Sequence, residues 1–171
     1  QGELVPHCSA SARNLFFDLG CSVYDGDVSL SSGSGSGPSL PLFARLYERR
    51  CIEFDSIFAW EAIVHPPEEW WARVPLNIRN KLHFYNIPVN VKESKKARGQ
   101  QQAYLQPDNF LAFLKATAKP DDFVVLKVDI EGQNGGPELE IVTTIANTPA
   151  LARLVDEIFF EYHFWFDGHN F

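Results

Sequence analysis

A chain of 171 residues that is 45% apolar and 13% aromatic can bury one sizeable core and is most simply a single domain. Its formal charge of −7, from 15 Lys plus Arg against 22 Asp plus Glu, disfavours nucleic acid and anionic membranes as partners and favours a small, neutral or cationic ligand. No run approaches the roughly 20 apolar residues of a membrane span, and Cys8, Cys21 and Cys51 form neither a zinc spacing nor an even disulfide set.

In chain order, residues 1–13 read as a lead-in to a domain over 14–171. Asn14-Leu-Phe-Phe-Asp-Leu-Gly20 is a short buried strand ending in an acid and a glycine. Residues 31–37 are a Gly/Ser loop, after which Pro38 opens a helix to Arg49 or Arg50. Glu53 to Glu61 favours a strand with an acidic end. Pro66-Pro-Glu-Glu begins a helix running to Lys81 with a break at Pro75, and residues 82–90 form an edge strand because Pro88 cannot donate to an interior ladder.

Residues 92–106 are a solvated basic loop, and Asp108 to Lys119 a helix with apolar residues at helical spacing. The fully apolar run from Phe123 ends in Asp129, Glu131 and Gly132, the arrangement of a strand whose tip faces a ligand. Pro137 to about Leu154 is helical with a break near Pro149, and Glu157 to Phe164 is the last strand. Strands alternating with helices predict an α/β fold, a doubly wound, mainly parallel Rossmann-like sheet with helices on both faces, lacking the last antiparallel strands.

Four strand ends then carry polar groups: Asp18 with Gly20, Glu61, Asp129 with Glu131, and Glu161 with His163. Gly20 permits close backbone approach, and an acid ending the second strand suits ribose hydroxyls. Either a nicotinamide dinucleotide or S-adenosylmethionine meets that outline, although the first loop has no GxGxxG for a pyrophosphate. His163, Asp167 and His169 match no common metal spacing, so no metal is expected. Trp70 and Trp71 read as core, with substrate stacking as the sharper alternative. A chain that starts at Gln and holds no Met is expected to be an excerpt or processed product, and its compartment and oligomeric state are not legible.

The blocks Phe17-Asp-Leu-Gly-Cys-Ser22, Phe58-Ala-Trp-Glu-Ala62 and Leu126-Lys-Val-Asp-Ile-Glu-Gly132 resemble the cofactor loop, the ribose motif and the Leu-Lys-Ile-Asp-Val-Glu-Gly block of FkbM-type class I S-adenosylmethionine-dependent methyltransferases. The resemblance covers about residues 14 to 165 in scattered blocks. Ser22 and Tyr24 stand where that family carries Asn and Gly. It implies S-adenosylmethionine as cofactor, held by Asp18, Gly20, Cys21, Ser22, Glu61 and Ala62. Asp129, Glu131 and His163 would be catalytic, Glu161 would meet substrate, and the methyl acceptor would be an oxygen of a sugar or other small molecule. A non-catalytic relative that binds a nucleoside or a partner, and an NAD(P)-type oxidoreductase, are the alternatives.

Overall fold

The computed structural model describes residues 12–24, 39–91, 107–130 and 136–161. In chain order these form β1 (Asn14–Leu19), α1 (Ser39–Glu48), β2 (Ser56–Trp60), α2 (Pro67–Ala72), α3 (Leu76–Arg79), β3 (Leu82–Tyr85), α4 (Phe110–Thr117), β4 (Phe123–Val128), α5 (Gly136–Asn147), α6 (Pro149–Ala152) and β5 (Glu157–Phe160). The five strands make one sheet in the order β3-β2-β1-β4-β5, and every pairing is parallel. This is the expected Rossmann-like α/β fold, and among the described residues no strand runs antiparallel.

Alternation along the strands sorts the core onto the two faces of the sheet. Phe16 and Val125 meet α1, α2 and α3 through Phe43, Tyr47, Trp70 and Ile78. Leu15, Phe17 and Leu126 meet α4, α5 and α6 through Phe110, Ile141 and Leu151. Strands buried on both sides are largely apolar, which is why β1 and β4 read as hydrophobic runs interrupted only at Asn14, Asp18 and Lys127.

The helices stop and start where the chain chemistry requires. Pro75 divides α2 from α3, and Pro149 opens α6 just past the end of α5. The cap of α4 is Asn109, whose side chain accepts from the Ala112 N–H at 3.1 Å, one residue beyond the Asp108 of the sequence pattern. β5 stops at Phe160, short of the expected Phe164, and Tyr162 to Phe164 lie outside the described residues. The Gly/Ser loop at 31–37 and the basic loop at 92–106 also lie outside them. No helix among the described residues is long and apolar enough to cross a membrane.

Candidate functional site at the carboxyl ends of the strands

Strand order reverses between β1 and β4, since β1 leads by crossover to β2 on one side while β4 continues to β5 on the other. Such a switch point opens a crevice beyond the carboxyl ends of the two strands. The backbone there is held by cross-strand bonds that continue past the strands themselves. Gly20 N–H and Cys21 N–H both donate to Trp60 O at 3.0 Å, and Asp129 N–H donates to Leu19 O at 3.0 Å. Glu61 N–H reaches Tyr85 O at 3.1 Å, and Glu161 N–H reaches Val128 O at 3.0 Å. The four tips are therefore fixed side by side.

Gly20 is the one position in this loop where only glycine fits. Its φ of +84° lies in the left-handed region, and a Cβ there would sit 1.8 Å from the Asp129 carbonyl oxygen. The β1 loop thus presses directly onto the β4 tip, so the close approach made at this glycine is to the protein's own backbone, whereas the sequence assigned it to a ligand.

Ser22 follows with φ +54°, a left-handed conformation that costs a non-glycine residue roughly 1 kcal/mol or more. Its surroundings enforce it. Ser22 N–H donates to Glu61 Oε2 at 2.8 Å, and Trp70 Nε1–H donates to Ser22 O at 2.9 Å. Trp70 is buried, stacked on Phe84 with ring centroids 3.6 Å apart, and acts as the fixed post for this loop. The sequence placed Trp70 in the core without this second task. Non-glycine residues held in left-handed backbone by an over-determined environment cluster at ligand sites.

Glu61 is 8% exposed and ends β2 on the face that carries Ala59. Its Oε1 accepts the Ile63 N–H at 2.7 Å, and Asn86 Nδ2 holds its carbonyl at 2.8 Å. A carboxylate has about four acceptor positions, and among the described residues the Ser22 and Ile63 N–H groups fill two of them. The neighbouring Ala62, Ile63 and Val64 are exposed.

Asp18 behaves differently from the expectation of a ligand-facing acid. It is fully buried, and its Oδ2 accepts from the hydroxyl of Ser39, the first residue of α1, at 2.5 Å. Directly opposite it in the β1–β4 register stands Lys127. The Lys127 ammonium lies 3.4 Å from Asp18 Oδ1, 2.9 Å from Asp129 Oδ2 and 3.1 Å from Gly20 O. At 3.4 Å the Asp18 contact is ionic rather than a well-formed hydrogen bond, and among the described residues Oδ1 has no hydrogen-bond donor.

Burial pushes the Asp18 carboxyl above its usual range, against the pull of Lys127 and Ser39. Burial would lower the Lys127 ammonium, but Asp18 and Asp129 more than offset that and hold it above its usual value. Cys21 is buried, and desolvation followed by the Asp18 and Glu61 charges raises its thiol well above normal, so it is packing and not a nucleophile.

The structure thus brings together Asp18, Gly20, Cys21, Ser22, Glu61 and Asp129, with Ala62 and Glu161 exposed at neighbouring tips. Glu131 and His163 lie outside the described residues. Sequence reading missed Lys127. The available signal was a lone charge inside an otherwise apolar strand, which folding tolerates only when the charge is paired.

A cleft of about 470 Å³ lies elsewhere, between α1 and the α3 region, with Phe54, Ile57 and Ile78 among its walls and Tyr24 touching it. It contains none of the buried charges. The cleft has a left-handed residue of its own, Cys51 at φ +59°. Only the strand tips combine such backbone, at Ser22, with the buried Asp18–Lys127 pair and the raised Asp18 carboxyl, so they are taken as the candidate site. Among the described residues no group of His, Cys, Asp and Glu is arranged to hold a metal. No protein-family model, curated protein or solved structure matches this chain.

Proposed function

We propose that the crevice at the β1–β4 switch point binds S-adenosylmethionine and supports methyl transfer to an oxygen of a small-molecule or sugar acceptor. The observation that carries this reading is the β1 loop itself. It has no room for a side chain at Gly20, no GxGxxG for a pyrophosphate, and a strained Ser22 tied to the acid that ends β2. The likeness to the FkbM-type blocks points the same way.

The residues present fit such a ligand. Each Glu61 oxygen accepts one backbone N–H and has a further acceptor position that suits a ribose diol. When bound, the cofactor would supply a methyl group on a cationic sulfonium, which leaves by in-line displacement. Glu61 and Asp129 contribute negative charge to the crevice, which favours a cation where water is excluded. Asp129 is the described carboxylate at the tip of β4 and is assigned to the acceptor hydroxyl, whose proton must leave as the new bond forms. Glu131 and His163 keep the same assignment from the sequence.

One observation favours the non-catalytic alternative. Both Glu61 oxygens already accept backbone N–H groups, and Lys127 offsets part of the carboxylate charge. Calorimetric titration of the chain with S-adenosylmethionine and S-adenosylhomocysteine decides between the readings. Saturable binding that Glu61→Ala weakens at least about tenfold, the loss of a charge-assisted hydrogen bond or two, supports the cofactor. Binding by neither ligand to a folded chain removes the methyltransferase reading and leaves a nucleotide or a protein partner.

A further inference from the structure

Lys127 makes three contacts that together span the switch point, and the mechanism above uses none of them. Its side chain is 12% exposed, so the ammonium has left most of its water behind. It faces Asp18 across the strand pair, Asp129 just past the end of its own strand, and the Gly20 carbonyl on the loop. The Gly20 peptide is therefore pinned from both sides. Its N–H is held by Trp60 O on β2 and its carbonyl by Lys127 on β4. Two residues further on, Ser22 N–H is fixed to Glu61. A continuous chain of bonds thus runs from the β4 tip through the left-handed loop to the acid that ends β2.

We propose that Lys127 is the positioning residue of this site: through the Gly20 carbonyl and Asp129 it sets the loop geometry that orients Glu61 toward the adenosyl ligand. This rests on the adenosyl-ligand reading above. The competing role is purely structural, in which Lys127 is only the counter-charge for the buried Asp18. The two roles separate in a double variant, because Asp18→Asn removes the buried carboxylate that needs a counter-charge while Lys127→Met still leaves the Gly20 carbonyl without its donor.

The experiment compares wild type, Lys127→Met and the Asp18→Asn/Lys127→Met pair, with thermal melting and calorimetric titration of S-adenosylhomocysteine on each. Lys127→Met lowers the melting temperature and weakens binding by about tenfold or more, the scale of one lost hydrogen bond from a charged donor. The double variant regains the melting temperature yet stays about tenfold weak. Affinity returning together with stability would overturn the proposal and leave Lys127 a counter-ion. Wild type that binds and a folded Lys127→Met that binds within about twofold of it would also overturn it, with the cofactor reading intact. Wild type that binds neither adenosyl ligand removes both.

A second readout needs no folded variant. In lysine-labelled wild-type protein the buried ammonium gives an identifiable resonance, and saturation with S-adenosylhomocysteine shifts it in step with the calorimetric isotherm. A resonance that ignores the ligand contradicts a positioning role.

Discussion

The two ends of the same sheet use acids in opposite ways. At the amino end, Asp55 accepts the Asn14 N–H at 2.7 Å and Asp156 accepts the Val124 N–H at 2.8 Å, each tying down the start of a strand. Arg13 grips Asp122 at 2.5 Å and the Thr117 carbonyl at 2.9 Å, and Arg50 with Tyr47 holds Glu157. These carboxylates are well donated, Asp122 although its side chain is buried. Burial alone would raise Asp122, but the Arg13 hydrogen bonds and the Lys119 and Arg13 N–H groups prevail and lower it. The Arg50 hydrogen bonds likewise lower Glu157 against its partial burial. At the carboxyl end burial wins, and Asp18 is raised. Acids that relax into their donors fasten a fold, whereas an acid held above its usual range beside strained backbone is the combination on which a candidate site is built.

The largest expected effect is at Gly20. Gly20→Ala forces a Cβ into the Asp129 carbonyl and strains a φ of +84°, so denaturant unfolding should show a loss of about 3 kcal/mol or more together with loss of ligand binding. A variant that folds and binds like wild type would break the claim that the loop and the β4 tip form one unit.

Next comes Arg13→Ala at the opposite pole, which leaves the nearly inaccessible Asp122 side chain without its guanidinium. Because the Arg13 side chain is 42% exposed and its charge is screened, the loss should be only about 1 to 2 kcal/mol, with ligand affinity unchanged. The pH dependence follows from the signs. Asp122 and Glu157 are depressed in the folded state, so their contribution is complete above the ordinary carboxylate range near about pH 4 and fades as pH falls through their folded values. Asp18 is raised, so its unfavourable burial is relieved in the same direction. Stability curves measured from pH 7 down to about pH 3 should therefore be flatter in Arg13→Ala than in wild type. A ligand affinity that fell with Arg13 would erase the distinction between the two ends.

The smallest effect sharpens the comparison. Ser22→Asn places a residue that tolerates left-handed backbone at φ +54° and should stabilise the chain by about 0.5 kcal/mol without disturbing the Glu61 bond, as read from melting and titration. Destabilisation would mean that Ser22 holds this conformation through its hydroxyl.

Much of this protein is legible without coordinates. The mainly apolar runs at 14–19 and 123–128, each with one charge, read as strands buried on both faces, and the prolines at 75 and 149 interrupt helices because each lacks the N–H a helix needs. The glycine at 20 and the acids at 18, 61 and 129 stand out because they end such runs. What a linear pattern could not contain was the register. Only the pairing of Asp18 with Lys127 across β1 and β4 turns two isolated charges into a buried ion pair. Only the crossing of α2 over the β1 loop brings the Trp70 indole to Ser22 O. Local chemistry set the elements and their ends, because propensity and burial act over a few residues. Which charges face a ligand and which face one another was decided by strands that are distant in the chain, because an ion pair depends on position in space and not on order.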